Sequence, residues 1–211
     1  MKVKVFTFGP FQENTCVLSD DSGECVIVDP GCYSHQEENE LKKYIEENKL
    51  KVVKLLNTHC HVDHVAGNAF VYDTFGLKPI IHKDDLPVLD SQQRVSDMYG
   101  LPCNISPRPE EFFEDGDTIT FGNTRLQVVH APGHAPGHVV FFNSDEKILV
   151  NGDVLFNGSI GRTDLPLGNH EQLINSIKTK LFILPEETIV YCGHGPSTTI
   201  GKEKRSNPFL Q

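Results

Sequence analysis

Three histidines and an aspartate fall within six consecutive residues, His59-Cys60-His61-Val62-Asp63-His64, closely after the apolar run Val52-Val53-Lys54-Leu55-Leu56. Such a run reads as a buried strand, and a loop at the end of a buried strand holds its ligands rigidly. In extended backbone, residues i, i+2 and i+4 share a face, so His59, His61 and Asp63 are expected to point together. His64 then faces another direction and is free to serve a second ion. One segment cannot close a metal site, so the fold must deliver further ligands from elsewhere in the chain.

The remaining candidates fall where a strand-like segment gives way to a glycine-bearing turn. His134 closes Ala131-Pro132-Gly133-His134, Asp153 closes Asn151-Gly152-Asp153, and His194 lies in Cys192-Gly193-His194-Gly195. Glycine lets the backbone bend at such points and project a side chain. His138 competes with His134 and reads better as a histidine packed behind the site. Cys60 and Cys192 lie beside candidates, but alternation turns them away. His35, His82, His130 and His170 are isolated and read as structural or exposed.

Strand patterns cover 3–8, 15–19, 24–28, 51–57 and 78–81, with helical patterns over 36–48 and 65–75. The second half repeats this grammar, with strands at 118–121, 125–130, 138–142, 147–150 and 188–191 and an amphipathic helix at 170–180. Two strand clusters with interspersed helices predict an α/β fold in four layers, an αββα sandwich with helices outside two facing sheets. Residues 84–115 are polar and interrupted by proline. A helix followed by a mobile excursion is expected there, forming a lid or substrate wall. No linker or repeat interrupts the 211 residues, so one domain, 1–211, is expected.

Charge narrows the partners. The chain carries 19 Lys and Arg against 29 Asp and Glu, a net charge of −10. Nucleic-acid binding relies on clustered cations, so no nucleic-acid partner is expected. No apolar run is long enough to span a bilayer, and Pro10 arrives before a signal-like apolar region forms, so no membrane partner is expected either. The six cysteines are dispersed without a CxxC pair, which fits free thiols in a reducing cytoplasm.

Taken together, Thr58-His59-x-His61-x-Asp63-His64, then Pro132-Gly133-His134, Gly152-Asp153 and Gly193-His194-Gly195 resemble the metallo-β-lactamase superfamily. Within it they look like the glyoxalase II-like (hydroxyacylglutathione hydrolase-like) branch. The resemblance runs from Asn14-Thr15 through Asp29-Pro30-Gly31 to His194, nearly the whole chain. It implies an αββα fold with a metal site at one edge of the two sheets. By the same resemblance, His59, His61 and His134 hold a first metal and Asp63, His64 and His194 a second, with Asp153 bridging them. Zinc is the expected ion, with iron or manganese compatible with the same donors. Two divalent cations set against two aspartates and one hydroxide leave about one net positive charge, enough to polarise a carbonyl.

The implied activity is hydrolysis of a thioester of the S-acylglutathione type, by attack of a hydroxide bridging the metals, with Asp63 orienting that hydroxide as well as ligating. Two-domain glyoxalase II enzymes add a helical glutathione-binding domain, which is not expected in this chain. They also contact glutathione through a Lys and a Tyr, nine and eleven residues after the bridging Asp. Those positions are Arg162 and Asp164 here, so Arg162 is the candidate substrate contact. The Gly161-Arg162-Thr163-Asp164 segment also resembles persulfide dioxygenases, which hold one iron at the positions of His59, His134 and Asp153. A true β-lactamase is not expected, because the zinc lactamases that align lack the bridging Asp. A metal-dependent sensor without turnover would show a gap in the ligand set, and all seven positions are filled.

Overall fold

The computed structural model describes residues 1–211. Its first half runs β1 (Lys2–Phe8), β2 (Glu13–Ser19), β3 (Glu24–Val28), α1 (His35–Glu47), β4 (Lys51–Leu56), α2 (Asn68–Phe75) and β5 (Pro79–His82). Two short helices follow, α3 (Leu86–Asp90) and α4 (Gln92–Tyr99), and then β6 (Glu111–Phe113). The second half runs β7 (Thr118–Phe121), β8 (Thr124–His130), β9 (Val139–Asn143), β10 (Ile148–Gly152), β11 (Leu155–Phe156) and β12 (Ser159–Ile160). It ends with α5 (His170–Ser176), β13 (Ile189–Cys192), β14 (Thr198–Thr199) and α6 (Ile200–Ser206).

Alternation on fully buried strands builds the layers. In β3, Val26 and Val28 face the second sheet, while Cys25 and Ile27 face α1 and α2. In β9, Val139 and Phe141 meet the first sheet, while Val140 and Phe142 meet α5 and α6. Each central strand is therefore apolar on both faces, which is why its sequence reads as a run and not as an alternation. The sheets are six-stranded, ordered β1-β2-β3-β4-β5-β6 and β14-β13-β10-β9-β8-β7. Helices cover both outer faces. The architecture is the four-layer αββα sandwich. No helix is long and apolar enough to cross a membrane.

Segment 84–115 departs from the expected excursion. Two helices occupy its first part, and β6 then pairs in parallel with β5 to extend the first sheet. Three elements lie outside the sequence reading altogether: the β11–β12 hairpin, β14 and α6. The expected helix at 170–180 is α5, continued to Leu181 by a wider helical turn.

Strand ends matter most for function. Parallel β10 and β13 align Gly152 with Cys192, so Asp153 and His194 leave the sheet side by side. Parallel β3 and β4 align Val28 with Leu56, which sets Asp29 beside the start of the 57–64 loop.

Leu149 on β10 is fully buried between the second sheet and its helices. Leu149→Ala is expected to lower unfolding free energy by about 2–5 kcal/mol, read by urea denaturation, because the surrounding layer closes only partly over the cavity.

Candidate metal centre

Four loops meet at one edge of the sandwich: 57–64 after β4, 131–138 after β8, Asp153 after β10 and His194 after β13. They bring all seven candidate donors together. His134 Nε2 lies 2.8 Å from His61 Nδ1 and 3.2 Å from His59 Nε2. Beside this trio, His194 Nε2 lies 3.3 Å and His64 Nε2 3.9 Å from Asp63 Oδ2. Asp153 stands between the two groups. Its Oδ2 is 3.5 Å from both His134 Nε2 and His194 Nε2, and its Oδ1 is 3.5 Å from His64 Nε2.

Asp63 therefore groups with His64 and His194, not with His59 and His61 as strand alternation predicts. The chain is no longer extended there. The His64 N–H donates to the His61 carbonyl at 3.0 Å, and Asn57 Nδ2 donates to the His64 carbonyl at 2.9 Å. That turn swings Asp63 across to the second group.

Second nitrogens fix the tautomers. His134 Nδ1–H donates to the Arg162 carbonyl at 2.7 Å, His194 Nδ1–H to the Phe11 carbonyl at 3.0 Å, and His64 Nδ1–H to Asp29 Oδ2 at 3.1 Å. Thr58 Oγ1 gives its proton to Asp29 Oδ2 at 2.6 Å and so accepts from His59 Nδ1–H at 3.1 Å. In His59 and His134 this leaves Nε2 as a lone pair aimed into the site, the arrangement that histidine ligands need, while the Nε2 atoms of His64 and His194 face the carboxylates of Asp153 and Asp63.

Electrostatics divide the site in two. Burial, reinforced by the neighbouring rings, pushes the His59 imidazole far below its ordinary range. Burial and His134 bring His61 to about 3, and burial also lowers His134. These three are neutral donors. Burial would lower His194 too, but hydrogen bonds to Asp153 and Asp63 lift it to about 10. Burial opposes ionisation of Asp153, yet His64, His194 and His134 hold it well below the usual carboxylate range.

These donors suit divalent cations. His59 Nε2 and His134 Nε2, with their Nδ1 protons committed elsewhere, face each other at 3.2 Å as two lone pairs, which repel unless a cation sits between them. The spacing is close to the about 3.3 Å edge that a tetrahedral zinc–nitrogen shell would give. His64 Nε2 and Asp153 Oδ1 are buried without a hydrogen-bond partner, as two donors awaiting an ion would be.

Several supporting residues escaped the sequence reading. Asp29 takes the Thr58 N–H at 2.7 Å and adopts φ +50°, the left-handed region. Asp85, fully buried, accepts the Cys60 N–H at 2.7 Å and the Gly137 N–H at 2.6 Å. Glu13, also fully buried, lies 3.8 Å from His64 Nδ1, and burial drives its carboxyl upward. The sequence marks Asp29 only as part of the Asp29-Pro30-Gly31 stretch of the resemblance, with no role assigned, and Glu13 and Asp85 carry no signal beyond an acidic residue in or beside an apolar segment. His138 stacks on His59 at 4.6 Å and accepts the Asp153 N–H at 3.0 Å, so it sits behind the site. Cys60 and Cys192 are buried, and burial pushes both thiols up, Cys192 to about 12.

Outside the donors opens a cavity of about 490 Å³. Its walls are α3–α4 on one side and residues 156–167 on the other, with His61, Asp63, His134, Asp153 and His194 at its floor. The Arg162 guanidinium lines it but is held bidentately by Asp164, both contacts 2.7 Å.

The sequence pattern described as the metallo-beta-lactamase superfamily matches residues 8–194. Hydroxyacylglutathione hydrolase GloC of Haemophilus influenzae is 38% identical over 212 residues, covering 100% of this chain and 98% of its own. The crystal structure of the BLEG-1 B3 metallo-beta-lactamase is 38% identical with TM-score 0.91, covering 100% of both chains. That of TTHA1623 in a di-iron-bound form is 38% identical with TM-score 0.89, covering 99% of this chain and 100% of its own.

Metal analysis of variants tests the donor groups. His59→Ala or His134→Ala is expected to lose chiefly one ion, His64→Ala or His194→Ala chiefly the other, and Asp153→Asn to weaken both. Full metal content in Asp153→Asn would reject a shared carboxylate. Asp85→Ala strands two buried N–H groups, so a loss of about 1–3 kcal/mol in stability is expected, with weaker metal retention.

Proposed function

The chain is a metallo-hydrolase that belongs to the metallo-β-lactamase superfamily, and we propose that it binds two divalent ions, zinc in the first instance, and hydrolyses a thioester of the S-acylglutathione type. The observation that carries this reading is Asp153, with one carboxylate 3.5 Å from a histidine of each donor group. A carboxylate so placed would be shared by ions held in the two groups. The likeness to a hydroxyacylglutathione hydrolase over the full chain supports the thioester.

Bound ions would supply Lewis acidity and a water whose pKa falls to about 7 on zinc. The chain's own residues do the rest. His59, His61 and His134 hold one side, Asp63, His64 and His194 the other, and Asp153 spans them. Asp63 Oδ2, at the cavity floor, accepts a hydrogen bond from the attacking water and orients it towards the carbonyl carbon. Val88, Val95, Phe156 and Ile160 line the cavity and keep bulk water from the acyl group. The water oxygen bonds to the carbonyl carbon as the carbon–sulfur bond breaks, so the acid is released as a carboxylate. One water proton goes to the leaving sulfur to give the thiol, and the other passes by way of Asp63 to solvent.

A second reading comes from the likeness to a B3 metallo-beta-lactamase, 38% identical over the full length of both chains. It reopens the activity that the sequence weighed against.

The test is dependence on metal and oxygen. Zinc-reconstituted protein is expected to hydrolyse S-lactoylglutathione equally under argon and in air, and to exceed its own turnover of nitrocefin. Preferential nitrocefin cleavage would move the assignment to the lactamase. Persulfide-dependent oxygen uptake by the iron form, with no thioester turnover by the zinc form, would move it to the dioxygenase.

A further inference from the structure

Helix α4 presents one stripe to the cavity. Ser91, Arg94, Val95 and Tyr99 are spaced by three, one and four residues, which places them on one helical face, and all four line the cavity. Gln92 and Ser96 are buried on the face behind. Gln93 and Asp97 lie on the solvent side and hydrogen-bond each other at 2.8 Å. Arg94 is therefore the single charge on the cavity-facing stripe.

No carboxylate answers it. Arg94 makes no hydrogen bond or ion pair within the protein, while the acids nearby are committed elsewhere: Asp90 to Arg108 at 2.6 Å, Asp97 to Gln93, and Asp164 to Arg162. Two guanidinium groups line this cavity, one closed by its own carboxylate and one open. A free guanidinium fork matches a carboxylate bidentately. Its helix is also anchored, because Tyr99 packs edge-on against Phe11 at 5.4 Å across the mouth. The opposite wall carries the apolar Phe156, Ile160, Leu165, Pro166 and Leu167 beside Ser159 and the committed Arg162.

We infer that Arg94, and not Arg162, receives the substrate's carboxylate, so that the site selects thioesters carrying a carboxylate held apart from the scissile carbonyl. The inference rests on the thioesterase reading for the reaction but not for the binding. In a chain of net charge −10, an anion gains little from the overall field, so its recognition falls to a local cation.

A matched pair of probes tests it: the S-acetyl derivatives of para-mercaptobenzoate and of its methyl ester. With zinc-loaded protein, the ratio of kcat/KM for carboxylate over ester is expected to fall about tenfold or more in Arg94→Ala. The fall is carried by KM, and Arg94→Lys recovers part of it. In parallel, calorimetry with the free thiol product para-mercaptobenzoate reads binding without turnover, and Arg94→Ala is expected to weaken it by a similar factor. An unchanged ratio and unchanged affinity in Arg94→Ala would overturn the inference, as would a loss of discrimination confined to Arg162→Ala. Absent turnover of both probes and of S-lactoylglutathione, with the affinity loss in Arg94→Ala intact, would sink the thioesterase reading and leave the anion subsite standing.

Discussion

Asp85 gives one carboxylate oxygen to each of two loops, Oδ2 to the Cys60 N–H and Oδ1 to the Gly137 N–H. Those loops belong to different sheets. One carries His59, His61, Asp63 and His64 and the other His134, so the donor trio exists only where the two sheets are joined. A backbone bond from the Val139 N–H to the Thr58 carbonyl at 2.8 Å closes the same seam. On the far side, the Asn14 N–H donates to the Gly193 carbonyl at 2.7 Å and ties the first sheet to the His194 loop. A fully buried carboxylate is costly, and burial lifts Asp85 to about 6 against the two N–H groups that favour its charge. The cost is offset because the same two N–H groups would otherwise be buried without acceptors.

Asp29 plays the matching part inside the first loop. With φ +50° it leaves β3 in a conformation that an aspartate tolerates better than most residues, and this turns its carboxylate under Thr58 and His64. At Gly152, φ +52°, a Cβ would meet Thr58 Oγ1 at 2.4 Å and the His138 ring at 2.8 Å. The glycine before Asp153 is thus required twice, by backbone conformation and by the approach of the opposite loop.

The seven candidate donors could be picked out of the sequence because metal chemistry restricts residue type and because each follows an apolar strand, and the fold brings them to one edge. Their partition was only half legible. Alternation holds for His59 and His61 and fails at Asp63, where hydrogen bonds to His61 and from Asn57 make a turn that no periodicity records. Strand β6 was hidden because its three residues sit at a sheet edge and only Phe113 is buried. Asp29 and Asp85 were unreadable for a different reason. Their meaning lies in backbone groups brought near by strand register, and register is a property of the assembled sheets.

Chemistry and selection are built from different parts of this chain. The donors sit on strand ends whose positions are set by two packed sheets, whereas the cavity walls come from α3–α4 and from residues 156–167, outside the main sheets. On the proposed reading, a change in the α4 stripe would alter what enters while leaving the donors in place. Arg162 marks where the two parts touch, because its carbonyl orients His134 while its guanidinium is spent on Asp164. A residue already used to fix a donor is a poor place to vary specificity, since a backbone shift there would be felt at His134. The α4 stripe touches no donor loop through its charged group, so a change there would leave the orientation of His134 alone.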